Sequence, residues 1–139
     1  MQWKLIALCI PIFLLGCERQ SKDKAAIDMT LLAHGFPKLP SAAFNQEMLT
    51  TKHQRYDSIR IQFSCPAVEF VPFIAEVPGA PAHDNEPPQS EVLNYLLTGP
   101  PYQVLKGRHI ADEPHYKYVE ARRRAEDILD ISVEFEDIR

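Results

Sequence analysis

The fold is decided by the stretch LDISVEFE, residues 129–136, in which apolar and polar side chains alternate without a break. Alternation with a period of two is typical of a β-strand that buries one face and exposes the other. A second stretch, IRIQFSC at residues 59–65, has the same pattern. The polar positions of the last stretch are mainly acidic, and Arg60 occupies a polar position of the earlier one. We therefore predict that the two strands pair, with weak support from opposite charges across them.

Strands with one apolar and one polar face belong to antiparallel sheets that are open to water on one side. Helices then cover the apolar face. The sequence therefore predicts the α+β class, with a small antiparallel sheet and two or three helices packed on one face.

The helices are predicted from capping residues and from apolar side chains repeating every three or four positions. Ser41 and Ser90 are candidate caps, and Pro114 suits the first turn of a helix. The predicted helices cover residues 42 to about 52, 91–97 and 114 to about 128.

The other segments are predicted as strands or loops. Residues 68–77 (VEFVPFIAEV) favour a second strand, which lies at a sheet edge because Pro72 cannot donate to a ladder. A hairpin is predicted around Lys106-Gly107. Residues 78–90 (PGAPAHDNEPPQS) have no apolar pattern and predict a proline-rich loop.

The first sixteen residues have the composition of a secretory signal peptide. Lys4 is followed by the apolar run Leu5–Leu15 and by the small residue Gly16. At about 1.5 Å per residue this run covers roughly half of a ~30 Å hydrocarbon core, so it is too short to span a membrane. The alternatives are a buried helix and an uncleaved anchor.

The run Leu14-Leu15-Gly16-Cys17 resembles the lipobox of bacterial lipoproteins. The resemblance implies cleavage after residue 16 and a Cys17 that carries lipid, palmitate included, as an anchor in a membrane. Glu18 follows it, whereas aspartate there is the family's usual signal for retention in the inner membrane of Gram-negative bacteria. The resemblance therefore implies an outer-membrane location facing the periplasm.

The rest of the chain is predicted to have two parts. Residues 17–40 form the lipidated cysteine, a polar tether (ERQSKDKAA, residues 18–26) and an irregular segment containing Pro37 and Pro40. Residues 41–139 form a single domain. The whole chain has 15 Lys+Arg against 19 Asp+Glu. This acidic balance argues against a nucleic-acid partner.

Three cysteines are present, and Cys9 leaves with the signal while Cys17 is lipidated. Cys65 then has no intramolecular disulfide partner. Its place in the alternation puts it with the buried residues, where a thiol is inert, so core packing is favoured over a nucleophile or an intermolecular disulfide. The Gly-x-Ser-x-Gly elbow of serine hydrolases is absent.

The histidines and carboxylates offer two candidate metal sites. His109, Asp112, Glu113 and His115 form the densest cluster, but their spacing matches no standard zinc pattern. The loop sequence His83-Asp84-Asn85-Glu86 lacks the spacing of a calcium loop. We therefore expect no metal and no cofactor.

Two charged groups are candidate partner-binding surfaces. Three arginines, Arg122, Arg123 and Arg124, are expected on the exposed side of a helix, where pairing with acidic residues four positions away is the simplest interpretation. The last strand and its end carry four carboxylates that can steer a basic partner, namely Asp130, Glu134, Glu136 and Asp137.

Two functional hypotheses follow from these features. The first is a protein-binding module anchored at the outer membrane, such as a toxin-neutralising immunity protein or an accessory subunit of an envelope machine. The second is a small periplasmic hydrolase of cell-wall material that uses the histidines and carboxylates between residues 83 and 115. Binding is favoured, because no set of residues meets a catalytic pattern.

Overall fold

The computed structural model describes residues 18–77, 91–99, 102–109 and 116–138, and for residues 102–109, 116, 117 and 138 it describes the backbone alone. Three helices and six strands occur in these ranges. In chain order the elements are β1 (Glu18–Ser21), α1 (Lys24–Ala33), β2 (Phe44–Lys52), β3 (Tyr56–Pro66), α2 (Ala67–Glu76), α3 (Val92–Thr98), β4 (Tyr102–His109), β5 (Tyr116–Arg123) and β6 (Ile128–Ile138).

The strands form one antiparallel sheet in the order β1-β2-β3-β6-β5-β4. Its central pair is β3 and β6, the two alternating stretches, with Ile61 opposite Val133 and Arg60 opposite Glu134. Both predicted strands and their pairing are therefore confirmed, and so is the α+β class.

The apolar face of the sheet packs against the helices. Four alternate residues of β3 and four of β6 are buried there, together with Val119 and Ala121 of β5. The helices contribute Ile27 and Leu31 from α1, Phe70 and Phe73 from α2, and Val92 and Leu96 from α3, among others. The intervening residues of β2, β3, β5 and β6, most of which are polar, point to the opposite face, which the described helices leave open.

The prediction of a tether and an irregular segment over residues 18–40 is wrong. Glu18 begins strand β1, and α1 follows with Ile27 and Leu31 fully buried at a spacing of four residues. Gly35, with φ 81°, ends the helix in the left-handed conformation that glycine adopts without strain. The Phe36 amide then donates to the Leu31 carbonyl (2.9 Å) and the Gly35 amide to that of Leu32 (3.2 Å), which is a Schellman motif.

The segment after the helix is held in place as well. The Leu39 amide donates to the Asp28 carboxylate at 2.9 Å, and Phe36 and Leu39 are buried. Residues 18–40 therefore belong to the described fold together with the residues from 41 onward. Cleavage before Cys17 concerns residues outside the described part of the chain and stays a prediction.

The predicted helix over residues 42–52 is also wrong, because Phe44–Lys52 is strand β2. Its apolar residues fit both a helical period and a strand, since Met48 faces the core opposite Ile61 while Leu49 lies opposite Arg60 on the other face. Pairing with β1 and β3 satisfies the backbone groups of this segment and decides between the two.

The strand predicted over residues 68–77 is helix α2. Phe70, Phe73, Ile74 and Val77 are buried at positions i, i+3, i+4 and i+7, whereas Val68 is 63% exposed. Pro72 lies on the exposed side inside the helix, not at a sheet edge. A short apolar run suits a buried helix as well as a strand, and sequence periodicity alone did not separate them here.

The remaining predictions have mixed outcomes. The helix over 91–97 is confirmed as α3 (Val92–Thr98). The predicted hairpin around Lys106-Gly107 is wrong, because Tyr102–His109 is one strand. The predicted helix over residues 114–128 is also wrong, because Tyr116–Arg123 is strand β5. The loop at residues 78–90 lies outside the described residues.

Candidate binding face of the sheet

The open face of the sheet carries its polar residues in rows that cross the strands, because residues opposite each other in an antiparallel pair point to the same side. Four rows follow from the register. We number them from the end of the sheet farthest from Glu18. Row 1 holds Phe44, Ser64, Asp130 and Arg122; row 2 holds Glu47, Gln62, Ser132 and Glu120; row 3 holds Gln20, Leu49, Arg60, Glu134 and Tyr118; row 4 holds Glu18, Thr51, Ser58 and Glu136.

Row 3 contains an ion pair between β3 and β6, the two strands that the sequence predicted to pair. The Nε of Arg60 donates to an Oε of Glu134 at 2.7 Å, and the Tyr118 hydroxyl donates to the other oxygen of the same carboxylate. Glu134 is therefore engaged on both oxygens, and its side chain is only 14% exposed. This carboxylate ties β3, β6 and β5 together and is not free to bind a partner.

Row 1 contains a second network, centred on Asp130. The Ser64 hydroxyl donates to its Oδ1 at 2.7 Å, and the Nε of Arg124 lies 3.0 Å from Oδ1 and 3.1 Å from Oδ2. Ser64 is almost completely buried, so this hydrogen bond satisfies a polar group that would otherwise be costly to bury. The carboxylate in turn holds the Arg124 guanidinium at the end of the sheet.

The three consecutive arginines have three different environments, because they lie at the end of a strand and not on a helix. Arg122 points to the open face, and Arg124 follows the strand and pairs with Asp130. Arg123 points to the helix side, where its guanidinium donates to the carbonyls of Leu97 and Gly99 at the end of α3. The expected pairing four residues along a helix is therefore wrong for all three.

Replacing Arg123 by alanine is expected to lower the free energy of unfolding by about 1–3 kcal/mol, because two charge-assisted hydrogen bonds to the end of α3 are lost. Arg122→Ala, one position away on the open face, is expected to change it by less than about 0.5 kcal/mol. Urea denaturation of both variants measures the difference. Equal losses would show that Arg123 does not hold α3.

A concave site of about 370 Å³ lies on the open face over rows 1 and 2. Its polar lining comes from four strands and from the residue after β5. These polar residues are Asn45, Glu47, Gln62, Ser64, Glu120, Arg122, Arg124, Asp130 and Ser132. We call this concavity the row 1–2 cavity. Only three of its residues, Arg122, Arg124 and Asp130, were candidates from the sequence.

The groups in this cavity differ in how far their hydrogen bonding is satisfied. Asp130 accepts from Ser64 and Arg124, and Glu47 accepts from the Gln20 amide. No described group pairs with Arg122 or with Glu120. Alternation in the sequence was the signal that placed Ser64, Gln62 and Ser132 on this face, but nothing in it showed which strands would be neighbours of β3 and β6.

The other predicted acidic residues lie at the opposite end of β6. Asp137 is 3.4 Å from the Nε2 of His34, which follows α1, and Glu136 belongs to row 4. The four carboxylates proposed as one binding surface are therefore divided between two internal networks and the row 4 end of the sheet.

Cys65 is fully buried on the helix side of β3, as its place in the alternation predicted. Burial raises the pKa of its thiol to about 12, and the nearby Glu69 carboxylate contributes to this rise in pKa. The thiolate is therefore not populated near neutral pH, which agrees with a packing role and not with a nucleophile.

The metal-site candidates cannot be assembled from the described structure. His83, Asp84, Glu86, Asp112, Glu113 and His115 lie outside the described residues, as does the side chain of His109. Within the described ranges there is no group of three or more His, Cys, Asp or Glu side chains that could hold a metal ion.

None of the helices in the described ranges is long and apolar enough to cross a membrane. Cys17 itself lies outside these ranges. No protein-family model, curated protein or solved structure matches this chain. The functional conclusion therefore depends on the site itself.

Proposed function

We propose that this protein is a non-enzymatic binding module that recognises a basic protein through the open face of its sheet. The observation that carries the proposal is the coverage of the sheet: the described helices pack on one face, and the other presents polar and charged rows with a concave centre. Antiparallel sheets tolerate one solvated face, so this surface is available without any rearrangement of the core.

The charges of the open face define the class of partner. The described strands β1, β2, β3, β5 and β6, with Arg124, present three guanidiniums on this face, from Arg60, Arg122 and Arg124. Six carboxylates accompany them, from Glu18, Glu47, Glu120, Asp130, Glu134 and Glu136. An excess of negative charge attracts a basic surface and speeds association.

The anchor predicted at Cys17 belongs to the same proposal. A lipidated Cys17 would precede the first residue of β1 directly, so the sheet would be attached to the membrane by its row 4 end and not through a tether. We infer an outer-membrane lipoprotein facing the periplasm, with the role of an immunity protein or an accessory subunit of an envelope machine. The hydrolase hypothesis gains no supporting observation from the described residues.

The proposal is tested by capture with matched charge insertions. The full chain, tagged at its C-terminus, is expressed in the cells that produce it, and the solubilised envelope is passed over an affinity resin. We expect one basic protein to be retained, less at high salt. Gln62→Arg, at the centre of the open face, is expected to reduce its recovery at least tenfold.

Ala75→Arg is the control, because it adds the same charge at an exposed position of α2 on the other side of the molecule. Its recovery of the partner should equal that of the unmodified chain. Loss of the partner with Ala75→Arg but not with Gln62→Arg would place binding on the helices. Failure to retain any basic protein at low salt would contradict the proposal.

A further inference from the structure

We propose that the row 1–2 cavity is a subsite for a carboxylate group of the protein partner, held by Arg122 and Arg124. This inference rests on the proposed function, because it names the group of the partner that enters this cavity. It depends on three observations: the cavity itself, its donors that have no acceptor among the described residues, and its distance from the row 4 end of the sheet.

The first step is the balance of donors and acceptors. Asp130 accepts from Ser64 and from the Nε of Arg124, and Glu47 accepts from Gln20, so both carboxylates already have partners. The Arg122 guanidinium has no described partner, and only the Nε of Arg124 has one. The terminal nitrogens of both side chains are therefore donors without described acceptors.

The second step is the preorganisation of these donors. Asp130 fixes Arg124 through both of its oxygens, and Ser64, which is buried, fixes Asp130. Arg122 is opposite Asp130 in the register, and both arginines line the cavity. A planar carboxylate matches the fork of a guanidinium, which makes it the group that this donor set suits.

The third step concerns the neighbouring Glu120, which lies two residues before Arg122 on the same face and has no described partner. Its charge opposes a free anion in the cavity. A carboxylate carried by a protein overcomes this repulsion, because the rest of a basic partner is attracted by the acidic rows around it. One acidic side chain within the partner's basic surface then fixes how the partner is positioned on the sheet.

The cavity also lies far from the predicted anchor. Row 1 and row 4 are six residues apart along β3, from Ser64 to Ser58. At roughly 3.4 Å per residue this separation corresponds to about 20 Å. A partner residue that enters the cavity therefore binds at the end of the sheet away from Glu18, where a lipid at Cys17 does not block it.

Sodium acetate is the probe for this subsite, with inorganic phosphate and chloride at equal ionic strength for comparison. The full chain, ¹⁵N-labelled in detergent micelles, is titrated while the Nε–Hε signals of its arginines are followed by NMR. Because Glu120 weakens the binding of a free anion, we expect acetate to bind only at millimolar concentrations, with saturable shifts of the Arg122 and Arg124 signals, and we expect no shifts with chloride.

Three variants make the result specific. Arg122→Gln should weaken acetate binding at least fivefold, and Glu120→Gln should strengthen it two- to fivefold by removing the repulsive charge. Arg55→Gln removes an exposed arginine in the β2–β3 turn and should leave acetate binding unchanged. Equal affinities of all three variants, or shifts that never saturate, would overturn the carboxylate subsite.

The two proposals fail separately. Saturation by phosphate with no response to acetate would overturn the carboxylate assignment, and a basic partner captured with full strength by Arg122→Gln would show that this partner does not use the cavity. Either result leaves the open-face proposal intact. Acetate binding at Arg122 in a chain that captures no basic protein would overturn the protein-borne carboxylate.

Discussion

Leu31→Ala is expected to lower the free energy of unfolding by about 2–5 kcal/mol, a large part of the roughly 5–15 kcal/mol that stabilises a typical domain. Leu31 is 0% exposed in α1 and belongs to the same core as Phe36 and Leu39 of the segment that follows the helix. Truncating it removes the transfer energy of the lost carbons and leaves a cavity, because the helix is fixed by its Schellman motif and by the bond from Leu39 to Asp28. Urea denaturation monitored by circular dichroism measures the loss.

Leu32→Ala is the matched control, since it makes the same substitution one residue further along the same helix. Leu32 is 50% exposed. Both substitutions change the helix propensity equally. We expect a change of less than about 0.5 kcal/mol for Leu32→Ala. Small and equal effects of both variants would mean that residues 18–40 are the polar tether that their composition predicted.

This pair of variants also bears on how the protein would present the proposed binding face. A tether of the predicted kind would allow the sheet to turn freely above a membrane. With β1 beginning at Glu18 and α1 in the core, a lipid at Cys17 would be joined directly to an edge strand. With β1 paired in the sheet, the row 1–2 cavity would lie at a fixed distance from such a lipid.

The central strand pair was predictable because the apolar residues of β3 and β6 repeat every second position and fit no helical period. Alternation over seven or eight residues is typical of a strand, and the opposite charges of Arg60 and the acidic last stretch gave weak support to their pairing, which the register confirms. The same alternation correctly placed Cys65 in the core and Asp130 on the open face. The placement of Cys65 and Asp130 needed nothing beyond the local sequence.

In the segments that were assigned wrongly, the apolar residues fit both the helical period and the strand period. In β5, Tyr118 and Ala121 suit a helix face, but Val119 and Ala121 are the residues that the sheet buries. In β2, one face is covered only in part, so the strand carries few apolar residues to mark it. Both segments form strands because they pair with strands that are distant in the sequence, and a local pattern does not show which strands will pair.

The candidate site was only partly predictable for the same reason. Arg122, Arg124 and Asp130 were chosen for their charge, but their common location follows from the pairing of β5 with β6. Glu47 and Gln62 enter the cavity because β2 pairs with β3. The arginines were expected on a helix, where all three would be exposed, whereas the strand sends Arg123 to the opposite side to hold α3.

Phe70→Ala is expected to lower the free energy of unfolding by about 3–5 kcal/mol. Phe70 is 0% exposed in α2, and its ring stacks on that of Phe73. The Phe73 ring in turn makes an edge-to-face contact with the ring of Phe63 in β3. Val68, by contrast, is 63% exposed. Val68→Ala should therefore change stability by less than about 0.5 kcal/mol. In the predicted strand Phe70 and Val68 would share one face, whereas in α2 they lie on opposite sides. Comparable losses of unfolding free energy for the two alanine variants would therefore contradict the helix. Phe70→Leu, with a smaller expected loss, keeps the comparison measurable where the alanine variant does not fold.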